Sequence, residues 1–476
     1  MALLLLISGS CQKKELDTSI SASEDKVQVE NFIEESELPL FRITTTIQIE
    51  NEPKVPAKLE ILKKGISVSE HFIGIEYRGS TSFRLSDKKS YGFETWDENG
   101  QDINESLLGF PEEEDWILNG HVFRSSDNRI FDPTLMRHFV GYEIYRSMGN
   151  YASRCKFVEL VIDDEYMGVY VFMEKLKRDK NRIDIKKLKP DENDAENITG
   201  GYILKIDKTA GSDVVSDQPL EYFETNWADD ARYLEDFSFR SVYGVDKSLL
   251  DFEPFDLPYH EKQFLETYFL YGYPKSEDIS SQQKEYIERY IYDFETALLS
   301  DDFTTEIRTY TDYINVDSFI DYFILNEFVG NVDAYRLSTF MHKNLGDKLN
   351  MGPVWDLNIG YGDPRLPVND WIINYNTHVP DDPWLVPFWW NRFMSDPQFV
   401  SLLKTRWESL RRNELAFNTI KELIENTSNY LIENGAVERN YTKWSGIEVN
   451  YENEIDIMIQ YLENRLIWMD SKINAM

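Results

Sequence analysis

The chain has 476 residues, long for one domain, and its 42% hydrophobic and 14% aromatic content exclude a disordered protein. A formal net charge of −35 excludes a nucleic-acid partner, because such a surface repels polyphosphate, and any nucleotide would need local Lys and Arg to overturn that field. Two cysteines, Cys11 and Cys155, exclude a disulfide scaffold.

The chain opens on the apolar run Ala2-Leu3-Leu4-Leu5-Leu6-Ile7, then Ser8-Gly9-Ser10 and Cys11. The run is too short to span a bilayer and matches the end of a secretory signal. Small residues followed by Cys resemble the lipobox of bacterial lipoproteins, although Ser8 stands where Leu is usual. The expectation is a signal segment over 1–11 and lipidation at Cys11. The chain would then be anchored in the cell envelope, outside the cytoplasm, on an outer membrane or cell surface. Residues 12–36 are polar and acidic and read as a tether.

From 37 to 205 the pattern is β-rich. Phe41–Ile49, Ala57–Leu62, Phe72–Tyr77 and Ser90–Glu94 alternate or carry β-branched residues. Asp132-Pro133 reads as the start of a helix running to Met148 and ended by Gly149. Phe157–Ile162 and Tyr166–Phe172 make a hairpin about Asp163-Asp164-Glu165, and Gly200–Ile206 is another strand. Residues 206–278 read as an irregular insertion. From 279 to 476 the chain is mainly helical, with helices over Gln282–Leu299, Val316–Phe328, Phe399–Leu410, Ile420–Leu431 and Glu454–Met469. Within that part, Ser338–His342 returns through Leu349–Asp356 as a β segment. The fold class is α+β, an antiparallel-sheet lobe followed by a mostly helical lobe.

Three stretches carry polar residues that an ordinary core avoids. Tyr77-Arg78-Gly79-Ser80-Thr81-Ser82, followed by Lys88-Lys89-Ser90-Tyr91, is either a plain Ser/Gly turn or a phosphate-approaching one. Glu174–Arg182 is the strongest basic run in an acidic chain and begins where a strand ends. It is either a solvated loop or the rim of a site. Gly330-Asn331-Val332-Asp333-Ala334-Tyr335-Arg336 and the later Val354-Trp355-Asp356-Leu357-Asn358 offer oxygen donors. Phosphoryl transfer needs an Asp at the attacking hydroxyl and oxygen ligands for a metal, which Asp333, Asp356, Asn331 or Asn358 can supply. The competing reading is local turn capping by the same acids.

These motifs, with Leu135-Met136-Arg137, Tyr166-Met167-Gly168-Val169-Tyr170, Glu174-Lys175, Gly200-Gly201-Tyr202-Ile203-Leu204 and Gly352-Pro353-Val354-Trp355-Asp356, occur in an order that resembles the CotH (spore-coat protein H-like) family of atypical protein kinases. The resemblance runs from about Leu38 to the C-terminus, so 37–476 reads as one atypical kinase-like domain. It implies ATP with Mg2+ or Mn2+ and a secreted or surface protein as substrate. By motif, Asp333 resembles the catalytic-loop Asp and Asp356 the metal-binding Asp, with Asn358 beside it. Arg78, Ser80 and Lys89 resemble phosphate-side residues, and Glu174, Lys175 and Asn331 belong to shared motifs on the cofactor side. The family usually reads Trp-Asp-x-Asp, whereas this chain has Asn358 in place of the second acid. It also has Leu337-Ser338 where an Asn is common. The other reading is a weak or inactive kinase-like surface protein that binds polymers, with Trp371, Trp384, Trp389 and Trp390 stacking on sugars if exposed.

Overall fold

The computed structural model describes residues 36–209 and 227–476. Cys11 and most of the tether therefore lie outside the described residues.

The first lobe is a barrel. Its strands are β1 (Leu40–Thr44), β2 (Val55–Lys63), β3 (Ile66–Arg78), β4 (Ser90–Trp96) and β5 (Asp115–Asn119), with α1 (Thr81–Leu85) between β3 and β4. A small ribbon, β6 (Phe123–Arg124) and β7 (Arg129–Ile130), precedes α2 (Arg137–Ser147) and the hairpin β8 (Cys155–Ile162) and β9 (Glu165–Glu174). The order β1-β2-β3-β4-β5-β9-β8 is antiparallel, and a parallel β8–β1 pairing closes it. Alternation drives this, since every second residue of β2 from Val55 to Ile61 turns inward. Inside, Phe172 lies 5.1–6.2 Å, centroid to centroid, from Phe41, Phe93, Phe110 and Trp116.

Helix α2 begins later than Asp132-Pro133 predicts. Leu135 takes a left-handed φ of 62°, so the chain turns before it coils. Asp132 still serves as a cap at a distance, its Oδ2 accepting the Arg137 N–H at 2.9 Å.

The stretch expected to be an irregular insertion contributes strands. β10 (Tyr202–Ile206), β11 (Ser238–Arg240), β12 (Tyr268–Tyr273), β13 (Thr339–Lys343) and β14 (Leu349–Met351) form an antiparallel sheet in the order β11-β12-β10-β13-β14. The partners of β10 on β13 lie up to 141 residues away in sequence, as Tyr202 pairs with Lys343 at one end and Ile206 with Thr339 at the other.

The helices are α3 (Ser281–Leu299), α4 (Val316–Val329), α5 (Tyr375–His378), α6 (Trp389–Phe393), α7 (Pro397–Arg412), α8 (Phe417–Glu433), α9 (Ala436–Lys443) and α10 (Tyr451–Ala475). Ser280 and Gln283 form a capping box on α3, and Asp396 with Pro397 opens α7. From Phe319 to its end α4 is buried all round, and α2, α7 and α10 pack on it. Short α9 returns to the barrel, where Arg439 pairs with buried Glu159 at 2.7 Å. Among the described residues no helix is long and apolar enough to cross a membrane.

Candidate active site

The two acids singled out in sequence sit on irregular backbone between regular elements. Gly330 ends α4 with φ 66°, and a Cβ there would lie 1.9 Å from the Tyr461 hydroxyl, so only Gly fits. The loop that follows carries Asp333 and runs into β13. Hairpin β13–β14 then returns the chain to Asp356. Tyr335, Ser338 and Asp356 all have left-handed φ, of 74°, 47° and 49°. Such conformations cost of order 1–3 kcal/mol each in non-Gly residues and cluster at functional sites.

Both acids line one cleft of about 1640 Å³, between the barrel mouth and the second sheet. Arg78, Gly79, Ser80, Lys175 and Asn358 line it too. Gly79 (φ 89°) makes the turn after β3; a Cβ there would meet Ser82 Oγ at 2.1 Å. Arg78 holds its guanidinium 5.9 Å from the Trp355 ring centroid and makes no hydrogen bond among the described residues. The Ser80 hydroxyl is buried without a hydrogen-bond partner among them. From the basic run, Lys175, Lys177 and Arg178 reach the cleft, where Lys205, Lys208 and Arg365 join them. The whole lining carries 12 Lys and Arg against 15 Asp and Glu, so the cleft is closer to charge balance than the chain at −35.

Arg336 Nη2 donates to Asp333 Oδ1 at 2.5 Å. That arginine is itself buried, bonded to Val332 O and Trp384 O, and 4.0 Å from the Tyr375 ring centroid. Asp333 is therefore aimed by a rigid neighbour one helical turn on.

Asp356 is held on both oxygens. Ser338 Oγ donates to Oδ2 at 3.0 Å, and His138 Nε2 lies 3.8 Å from Oδ1. Burial raises its carboxyl, but His138, Arg78 and Ser338 outweigh that and hold it below the ordinary carboxylate range. Asn119 Nδ2 meets His138 Nδ1 at 3.2 Å and Ser90 Oγ donates to Asn119 Oδ1 at 3.3 Å, so the barrel helps orient Asp356. Arg137 donates to Asn358 O at 2.9 Å and to Phe131 O at 2.6 Å, which ties the hairpin to the start of α2.

Three expected site residues lie off the cleft. Lys89 donates to Phe83 O at 2.6 Å and covers the Phe83 ring. Glu174 is fully buried and accepts from Arg154 Nη1 at 2.5 Å and Tyr151 Oη at 3.1 Å. Asn331 is buried, donating to Asn326 Oδ1 at 3.0 Å and accepting the Asp333 N–H at 3.3 Å, so it shapes the loop from behind. In each case a strand end or loop turned the side chain into the protein, which spacing alone does not reveal.

Sequence reading missed His138 and Asp207, which line the same cleft. A single histidine on a helix gives no signal in the sequence, and His138 works singly. Asp207 directly follows β10, and that place just past a strand end is the only signal the sequence offers. Among the described residues the trio Glu113, Glu114 and Asp115 is close enough to hold a metal, but the Lys177 ammonium already sits among them at 2.6–2.7 Å.

The family model described as CotH kinase protein matches residues 75–469, from the strand before Arg78 through most of α10. The chain belongs to the CotH kinase family. Membership covers both lobes and both cleft acids, and makes this a kinase-like protein. A search of curated proteins finds no match. For the family's nucleotide and divalent ion, the donor chemistry fits: Asp356, Asn358 and Ser338 offer hard oxygens, the ligands that Mg2+ and Mn2+ take.

Proposed function

We propose that the chain is an ATP-dependent protein kinase of the cell envelope that transfers the γ-phosphate to a hydroxyl of a secreted or surface protein. What carries this reading is the shared cleft of Asp333, Asp356, Arg78 and Ser80. Asp333, aimed by Arg336, receives the hydrogen bond of the acceptor hydroxyl and takes its proton as the new phosphorus–oxygen bond forms and the bond from the γ-phosphorus to the β-phosphate oxygen breaks, ADP leaving. Arg78 and Ser80 face the phosphate chain, offering a guanidinium and a hydroxyl without another hydrogen-bond partner among the described residues. Asp356 and Asn358 would hold the divalent ion, which when bound supplies charge neutralisation across the β- and γ-phosphates. A cleft lining near charge balance lessens, without reversing, the repulsion of a −35 protein for a polyanion, and the divalent ion would supply the rest.

The test is transfer of labelled γ-phosphate to the protein itself or to casein with Mg2+ or Mn2+. Wild type is expected to label, and Asp333→Ala and Asp356→Ala are not. Equal labelling by all three sinks the reading. Lipidation at Cys11 accounts for the envelope location: Cys11→Ser should move the protein from the detergent phase to the aqueous phase, and an unchanged partition removes the anchor.

A further inference from the structure

The first described residues, Ser36 and Glu37, join the fold at one end of the barrel. There Glu37 pairs with Lys64 at 2.5 Å, donates its N–H to Asn434 Oδ1 at 2.6 Å and accepts the Tyr430 hydroxyl on its carbonyl at 3.3 Å. The turn between β2 and β3 and the end of α8 therefore meet where the chain enters. Both present apolar side chains to solvent. On β3, Ile66 is 69% and Val68 51% exposed; on the last turn of α8, Tyr430 is 37% and Ile432 42% exposed. The turn Lys64-Gly65 has positive φ at both residues, 48° and 69°, as a type I′ turn requires, and the ladder runs up to the Lys63–Ile66 pair. The tip is thus a preformed surface held by pairing. Single exposed apolar residues are ordinary, but two elements remote in sequence that expose them around one point mark an interaction face.

Three features name the occupant. Residues 12–35 lead back to Cys11 and extend at most roughly 80 Å, so an anchor there keeps this end of the fold over the bilayer at high effective concentration. Charge at the face balances, with exposed Lys63 and Lys64 against exposed Glu37 and Glu433, so the repulsion carried by a chain at −35 is locally relieved. Lysine stems lie along apolar surface while their ammonium groups reach headgroup phosphate, and a tyrosine with an apolar ring and polar tip suits the same boundary.

We propose that the β2–β3 tip and the end of α8 form a docking face for the lipid bilayer, seated by Ile66, Val68, Tyr430 and Ile432. The inference rests on the envelope reading for the presence of the bilayer. Its consequence for function comes from β3, which starts at Ile66 on this face and ends at Arg78 in the cleft. A strand of that length spans roughly 40 Å. The docked barrel therefore holds the cleft away from the lipid, towards proteins outside the membrane.

The test is co-sedimentation of residues 12–476, which hold every described residue and carry no lipid, with phosphatidylethanolamine–phosphatidylcholine vesicles at millimolar lipid. Binding is expected. Ile66→Glu with Val68→Glu should weaken it about tenfold or more at an unchanged melting temperature. Leu257→Glu, between β11 and β12 at a residue 74% exposed, should bind like the parent chain. If the double variant does not fold, Tyr430→Ser with Ile432→Ser reads the same quantity. Parental vesicle affinity in the folded variants, or no binding by the parent itself, overturns the docking face. So does a dimer in sedimentation equilibrium that the Ile66 and Val68 substitutions dissociate, which gives the face to a second copy. Detergent partition of wild type reads the anchor separately. An anchored wild type whose 12–476 chain ignores vesicles overturns the face alone. A 12–476 chain that binds vesicles beside an unanchored wild type overturns the anchor alone.

Discussion

The barrel and the second sheet are both antiparallel β structures, yet they do different work. The barrel is assembled mostly from neighbours in sequence, β2–β3–β4–β5 and the β8–β9 hairpin, around a packed aromatic cluster. The second sheet joins residues up to 141 apart in sequence and places cleft residues at its ends: Asp207 after β10, Ser338 before β13, Asp356 after β14. Local pairing makes a scaffold that tolerates no gaps. Non-local pairing brings together side chains that no single segment could hold, and the loss of loop entropy on pairing is offset by the buried helices beneath.

Substitutions in the two regions can break that contrast. The largest expected effect is on chemistry: Asp333→Ala or Asp356→Ala should lower phosphate transfer at least about a hundredfold while the melting temperature stays near wild type. A matching fall in melting temperature would mean that these acids are structural. Next, Phe172→Ala should cost about 3–5 kcal/mol in denaturant unfolding, because it empties the centre of the barrel. A cost below about 1 kcal/mol would show that the barrel is not a tightly packed unit.

Comparable in size is Arg465→Leu. Arg465 on α10 donates to Glu327 Oε2 at 3.0 Å, and Glu327 also accepts the N–H groups of Ile372 and Ile373 and the Tyr335 hydroxyl of the loop that carries Asp333. Removing the arginine leaves a buried carboxylate unpaired, at a cost of about 3–5 kcal/mol at pH 8. Burial raises the Glu327 carboxyl to about 7 against the pull of Arg465. The variant should therefore lose less at pH 5.5, where Glu327 takes up a proton. A pH-independent cost would contradict this account.

The smallest effect is a change of slope. Glu295 is buried with no cation beside it among the described residues, accepting from Ser241 Oγ at 2.7 Å and Trp389 Nε1 at 2.9 Å, and burial pushes its carboxyl up to about 7. A carboxyl raised in the folded state contributes stability below its unfolded value, and that contribution is lost as pH rises from about 4.5 through about 7. The loss is at most roughly 3.5 kcal/mol, from about 1.4 kcal/mol per unit. Glu295→Gln should flatten this part of the stability–pH curve. An unaltered curve would show that Glu295 is ionised when folded.

The tryptophans also separate the regions. Trp389 and Trp390 are fully buried, and Trp384 is half-buried with its indole N–H on Tyr233 Oη at 2.9 Å. Trp389 and Trp390 thus brace the helical lobe and offer no stacking platform, whereas Trp384 lines the cleft and part-buried Trp371 packs edge-on against Trp468.

By itself, the sequence determined the elements whose signal is local. The alternation of β2, the hairpin about Asp163-Asp164 and the apolar periods of α3, α7 and α8 are all visible without a structure, because strand and helix periods are written into neighbouring residues. Asp333 and Asp356 stood out because polar loops after apolar elements are locally anomalous. Only the tertiary structure decided that Lys89, Glu174 and Asn331 turn away from the cleft, and that His138 and Asp207 turn into it. It also made strands of β11 and β12 where the chain reads as irregular, since their partners are supplied by distant segments. Which way a side chain faces at the end of a strand depends on register with a strand elsewhere in the chain, and register is settled only when the two meet.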